Sequence, residues 1–277
     1  MRIAWRLGAV ASLLALPNAA SAQDMSQQWT WCGNKDNTFS ADLVIGGCTA
    51  IIQAGRETSE KMAIAFYNRG TANLRKGQYN HAIQDYDEAI RLNSNFAVAF
   101  YGRGFAYHGQ EEYDRAIQDY DQAIRLNPTN ANAFHNRGNV YLRQDLYDRA
   151  MQDHDQAIRL NPNNATAFSN RCYAKASASF LDSALADCNE SLRLRPGNVA
   201  ALDGRGFTYL KMRRLPQAIA DFDAALKIAP KEAFTLYERG IARRRMGDMS
   251  GGDADVAAAK AIYPKVAERL ARRGVVP

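Results

Sequence analysis

A unit of 34 residues repeats six times in register between Ala63 and Val266, and this period restricts the fold more than any other property of the chain. The dipeptide Arg-Gly marks the frame at Arg69, Arg103, Arg137, Arg205 and Arg239, with Arg171-Cys172 in the fourth copy. The copies close near Pro128, Pro162, Pro196, Pro230 and Pro264, and Ser94 stands in the first. A fixed period of this length belongs to stacked helical hairpins, because one hairpin cannot bury its apolar face alone. The expectation is an all-α solenoid of antiparallel helix pairs, built to bind rather than to catalyse.

With Ala63 as position 1, position 4 is Phe66, Phe100, Phe134, Phe168, Leu202 and Leu236. Position 20 is Ala82, Ala116, Ala150, Ala184, Ala218 and Gly252, and position 27 is Ala in every copy but one, where it is Ser191. Position 8 is Gly except at Cys172. Apolar residues recur at spacings of three and four, so both halves of the unit read as helices. Small residues at 8, 20 and 27 let the two axes approach, and a turn falls near position 15, as at Gly77 and Gly247. The closing proline cannot continue the second helix.

At these positions the chain resembles the tetratricopeptide repeat family: small residues at 8, 20 and 27, an aromatic at 24 and Pro at 32. The resemblance covers about 204 of 277 residues. It implies a right-handed superhelix of six repeats, 63–96, 97–130, 131–164, 165–198, 199–232 and 233–266. The first copy departs from the family at Asn73 and Ser94, and the last at Gly252, Asp253 and Lys260. A polar outer face suits a terminal repeat, since nothing stacks beyond it. Lys265 to Arg273 reads as a further helix capping the stack, within a C-terminal segment 265–277.

Two charges never vary between copies. Position 7 is always Arg, and position 23 is Asp85, Asp119, Asp153, Asp187, Asp221 and Asp255. Across an antiparallel hairpin these positions face each other, so an Arg–Asp pair is expected in each repeat. The alternative is an arginine ladder that binds anions. Buried pairs of this kind fix register more surely than they add stability.

Four cysteines fit the same frame. Cys172 and Cys188 occupy positions 8 and 24 of one repeat, and Cys32 and Cys48 share the spacing of 16. Residues 23–62 therefore read as a degenerate N-terminal repeat, with its second helix near Ala41 to Gln53. Disulfides Cys32–Cys48 and Cys172–Cys188 are expected, each stabilising by roughly 3 kcal/mol on the chain-entropy model. Four free thiols packed as small apolar groups are the alternative. There is no C-x-x-C, and His81, His108, His135 and His154 fall at four different repeat positions, so no metal or other cofactor is expected.

Residues 1–22 read as a Sec signal peptide: Arg2 and Arg6 precede an apolar run to Leu16, and Ala20-Ser21-Ala22 offers small residues to a peptidase. The run is too short for a membrane anchor of ~20 apolar residues. Cleavage would place the protein in the periplasm or outside the cell, with no transmembrane span left. Loss of Arg2 and Arg6 takes the formal charge from +6 to +4. That excess sits from Lys231 onward, where 10 basic residues meet 6 acidic ones. It reads as a solvated helix end, or as a contact for an acidic partner or anionic membrane surface. Nucleic-acid binding is not expected.

In the resembling family, ligands lie in the concave groove lined by the first helices. The candidate groove residues are Tyr67, Asn68, Arg75, Tyr101, Phe105, His135, Asn136, Asn139, Arg143, Asn170 and Tyr173. Each asparagine carries a donor and an acceptor that can pair with an extended peptide backbone, and the aromatics offer apolar area at low entropic cost. The family's clamp for a terminal carboxylate is missing: Tyr67, Thr71, Gly102, Asn132 and Asn136 stand where it needs its basic and amide set. No nucleophile–base pair, phosphate loop or H-E-x-x-H motif is present, and the D-x-D pairs such as Asp85/Asp87 recur as a helix face. The chain reads as an exported, non-enzymatic adaptor for a protein or peptide. An envelope component that handles polysaccharide is the alternative, and an enzyme a remote one.

Overall fold

In the computed structural model, residues 22–34 and 36–275 are described; the signal peptide read at residues 1–22 lies, apart from Ala22, outside them. The described residues form fifteen helices and no strand. The first helices of the six hairpins are α3 (Ser59–Arg75), α5 (Ala97–Gly109), α7 (Ala131–Arg143), α9 (Ala165–Ser177), α11 (Val199–Lys211) and α13 (Ala233–Arg245). The second helices are α4 (Tyr79–Leu92), α6 (Tyr113–Leu126), α8 (Tyr147–Leu160), α10 (Leu181–Leu194), α12 (Leu215–Ile228) and α14 (Met249–Ile262). A further hairpin, α1 (Ala22–Gly33) and α2 (Ala41–Ala54), precedes them, and α15 (Val266–Ala271) follows. Helices pack on their hairpin partners and on the neighbouring hairpins, giving a solenoid of consecutive antiparallel pairs.

The period follows from one steric rule. Position 8 is glycine because the side chain of position 24 fills the space a Cβ would need. That Cβ would lie 3.0 Å from the Tyr86 ring at Gly70, 3.1 Å from Tyr120 at Gly104 and 2.6 Å from Phe222 at Gly206. Where cysteine replaces both partners, a covalent bond replaces the contact: Cys172 and Cys188 are joined with an S–S distance of 2.03 Å. Cys32 and Cys48 are joined at 2.09 Å in the α1–α2 hairpin. The alanines at positions 20 and 27, such as Ala116 and Ala123, are fully buried.

Each invariant arginine is clamped by the aspartate across its hairpin. Arg137 donates from Nε to Asp153 at 2.8 Å and from Nη2 at 2.6 Å. The same guanidinium also reaches back to Asp121, the second acid of the preceding D-x-D pair. Arg103–Asp87, Arg171–Asp155 and Arg239–Asp223 repeat this reach, and Asn189 receives Arg205. The D-x-D pairs are thus more than a solvated helix face: one acid closes a hairpin and the other ties it to the next. Burial raises the pKa of the Asp119 and Asp153 carboxyls from the ordinary aspartate value, although a guanidinium is bonded to each. Desolvation outweighs attraction there, as expected of pairs that set register rather than add stability.

The turn between the two helices places position 15 in the left-handed region in all six repeats. Gly77 and Gly247 do so at φ of 70° and 95°, but Glu111, Asp145, Ser179 and Arg213 do so as well, at 58° to 70°. At the far end the last helix is shorter than Lys265 to Arg273. It stops at Ala271, and Gly274, at φ 82°, turns the chain. Val266, Leu270 and Val275 are buried in one cluster with Tyr237 and Ile241 of α13. Tyr237 and Ile241 of α13 are thereby covered by the C-terminal segment.

Candidate ligand-binding face

Several side chains at positions 5, 6, 9 and 13 of the first helices border two openings. The opening toward the α1–α2 end is shallow. Asn68 and Arg75 border a recess of about 70 Å³, and Arg75 donates to Asn37 Oδ1 at 2.5 Å. Tyr67 is half-buried against Tyr86 and Phe96, with ring centroids 5.9 and 5.3 Å away. Tyr101 packs on Tyr120, and its hydroxyl accepts from Asn136 Nδ2 at 2.8 Å. Burial raises its pKa. Phe105 stands out at 42% exposure, whereas Phe207, at the same repeat position, is fully buried. His135 is half-buried, 5.4 Å from the His154 ring and 3.2 Å from the Asn139 amide, and burial lowers its pKa.

The face deepens in its second half. Asn139, Arg143, Asn170 and Tyr173 border a cavity of about 560 Å³ that draws on five successive first helices, α5 to α13. Asn170 Nδ2 donates to Asn139 Oδ1 at 2.6 Å, linking neighbouring repeats. The Tyr173 ring stacks on Phe207 at 5.9 Å. Four of the eleven candidate residues are thus brought to one cavity and two to the shallow recess; Tyr67, Tyr101 and His135 pack against neighbouring rings, Asn136 bonds to Tyr101, and Phe105 is exposed.

The cavity also contains groups outside that candidate set. Asp203 accepts from Thr235 Oγ1 at 2.6 Å, and burial pushes its carboxyl up to about 6. Glu238 is 2% exposed, and burial raises its pKa well above the usual range. Phe234 and Arg273 complete the wall. A signal for the acids was present: Asp203 and Glu238 occupy positions 5 and 6, which are Tyr101 and Asn136 in other copies. Arg273-Gly274 also keeps the 34-residue step from Arg239-Gly240. Among the described residues, no cluster of three His, Cys, Asp or Glu side chains is arranged to hold a metal. No described helix is long and apolar enough to cross a membrane. What the face offers is amide donors and acceptors, aromatic surface and buried acid, which is equipment for binding.

Family models for the TPR repeat match residues 70–111 and 109–145, and one for the tetratricopeptide repeat matches 131–164. Among solved structures, YrrB, a TPR protein with an unusual peptide-binding site, is 26% identical with a TM-score of 0.57, over 68% of this chain and 95% of its own. A tetratricopeptide repeat protein from Parabacteroides merdae aligns with a TM-score of 0.69 at 18% identity, over 91% of this chain and 100% of its own. PilW, a widely conserved type IV pilus biogenesis factor, aligns at 0.65 and 18% identity, over 75% and 98%. The last two speak to the fold alone. No curated protein matches the sequence. Fold and face together define an interaction scaffold of stacked helical hairpins. Residues 70–164 match the tetratricopeptide repeat, and the array as a whole has the fold of tetratricopeptide repeat proteins.

Proposed function

We propose that this protein is an exported adaptor that holds an extended peptide or protein segment in the groove formed by its first helices. The observation that carries the reading is the cavity at Asn139, Asn170 and Tyr173, where amide and aromatic side chains from successive repeats share one opening. Amides on successive repeats suit a peptide backbone, whose donors and acceptors recur whatever its side chains are. YrrB, similar over most of its length, has a peptide-binding site. On this reading the six repeats between 63 and 266 carry the groove, and residues 23–62 form an N-terminal unit stapled by Cys32–Cys48. The two disulfides favour an oxidising compartment, the periplasm or the exterior, in keeping with a signal peptide cleaved before Gln23.

The test is partner capture from a cell extract by the purified protein and by the triple variant Asn68→Ala, Asn136→Ala, Asn170→Ala, with circular dichroism confirming that both are folded. A protein retained only by the unaltered chain supports the groove. Equal retention by both would move the binding face elsewhere, and retention of an oligosaccharide in place of protein would favour a role with polysaccharide. N-terminal sequencing of the native protein tests export: a first residue other than Gln23 rejects the assigned cleavage.

A further inference from the structure

The cavity bordered by α9, α11 and α13 holds buried acid that the protein itself does not satisfy. Glu238 is 2% exposed, and its Oε2 has no hydrogen-bond partner. The Tyr173 hydroxyl, at the same cavity, is buried with only the Ser177 hydroxyl near it. Asp203 shares the cavity and has Thr235 on one oxygen. Polar groups left in this state cost free energy until something completes them.

One cation acts on both carboxyls, and it is Arg273. Its guanidinium carbon lies 5.0 Å from the Tyr173 ring centroid and 5.6 Å from that of Phe234, so two aromatic faces hold it. Its side chain is only 10% exposed, yet its hydrogen bonding is poor. Nε is buried with no hydrogen-bond partner, and the carboxylate paired with it, Asp145, stands at 3.9 Å. The repeat register explains why this arginine is available. In the frame Arg273 follows Arg239 by 34 residues, but the position that would receive it on the preceding hairpin is Ala257, which offers no acceptor. Released from the ladder, the side chain turns into the cavity.

We propose that this cavity is a guanidinium site, which takes an arginine side chain of a bound peptide and which Arg273 occupies in cis until that peptide arrives. The proposal rests on the peptide-binding reading of the same face and names the side chain recognised there. Arginine fits better than lysine: its planar fork stacks on ring faces and carries five donors. Entering from the open side of the cavity, such a fork can reach the Glu238 and Tyr173 oxygens that Arg273, tethered to α15, leaves unpaired. A site filled in cis for most of the time weakens the apparent affinity by the fraction left open.

The probe is the acetylated, amidated pentapeptide Gly-Ser-Arg-Ser-Gly, with norleucine in place of arginine as control. Binding is measured by calorimetry to the full chain, to Arg273→Ala and to the double variant Arg273→Ala, Glu238→Gln. Arg273→Met, which keeps the apolar stem against the rings, replaces Arg273→Ala if the latter loses its helical signal. The expected result is about tenfold or more tighter binding of the arginine peptide when Arg273 is removed. That gain disappears in the double variant, and the norleucine peptide gains nothing. Unchanged affinity on removing Arg273, or an equal gain for norleucine, overturns the proposal. If partner capture still depends on Asn68, Asn136 and Asn170 while the probe shows no gain, the guanidinium site alone falls. If neither partner nor probe binds, the peptide reading falls with it.

Discussion

Arg103 donates from Nη1 to Asp87 of the preceding hairpin at 2.5 Å, while Nε and Nη2 hold Asp119 of its own hairpin at 2.8 and 2.7 Å. One planar guanidinium therefore closes a hairpin and sets its angle to the next. Because the two aspartates differ in burial, they should differ in energetic weight. The Asp153 side chain is 6% exposed and Asp121 49%. Asp153→Ala should cost about 3–5 kcal/mol, by leaving Arg137 without its buried partner. Asp121→Ala should cost about 1 kcal/mol or less. Urea unfolding measures both, and equal losses would show that the two acids do the same work.

A left-handed turn residue carries a side-chain penalty that glycine lacks. Arg213 adopts φ 58° where Gly77 and Gly247 serve in other repeats. The steric cost of about 1–2 kcal/mol for a non-glycine residue exceeds the entropic cost of about 0.5–1 kcal/mol for glycine. Arg213→Gly should therefore stabilise by up to about 1 kcal/mol, and Gly247→Ala should destabilise. A thermal melt of each reads the sign; a lower melting temperature for Arg213→Gly would contradict it.

Reducing Cys172–Cys188 should cost about 3 kcal/mol on the chain-entropy model. The same two positions are a glycine and a ring in other repeats, as at Gly206 and Phe222. Cys172→Gly with Cys188→Phe should accordingly recover more stability than Cys172→Ala with Cys188→Ala, as judged by denaturation midpoints under reducing conditions. The reverse order would mean that the fourth hairpin has a different interior.

His154 occupies the position of Tyr86 and Tyr120, is fully buried, and has no partner on either ring nitrogen. Burial lowers its pKa from 6.5 to about 3. The unfolded chain takes up a proton that the folded chain refuses, so this contribution is intact above pH 6.5 and is lost as pH falls toward 3. At pH 5 the loss is about 2 kcal/mol. His154→Phe should flatten that acid limb in unfolding curves run from pH 8 to 4.5, and an unaltered slope would rule the histidine out.

Asp203 acts in the opposite direction. Its carboxyl is raised by burial from 3.8 to about 6, so the folded state holds the proton more tightly than the unfolded one. The stability it contributes is full below about pH 4 and is lost as pH rises through 6. Asp203→Asn keeps an acceptor for Thr235 without the charge and should raise the melting temperature more at pH 7 than at pH 4. A larger gain at pH 4 would reverse the assignment.

Much of the fold was legible because it is periodic. A spacing of 34 residues, glycine opposite an aromatic and alanines at the helix crossings are local rules that any one copy obeys. The cysteine pairs and the Arg–Asp pairs were legible for the same reason, since they occupy positions already known to face each other. The binding face was less so. Sequence position placed Phe105 and Phe207 together, yet one is exposed and the other buried, because the neighbours stacked on each helix differ.

The cavity lay furthest from view. Asn139, Tyr173, Asp203 and Phe234 belong to four different hairpins and Arg273 to the segment after α15, and nothing in their separation along the chain says that they meet. The superhelix and the turn at Gly274 decide that. Sequence alone determined the repeating hairpin, because its packing needs only neighbours one period away. Only the tertiary structure decided which side chains share a cavity and which acid stays unpaired, because those contacts depend on how many small rotations between hairpins add up.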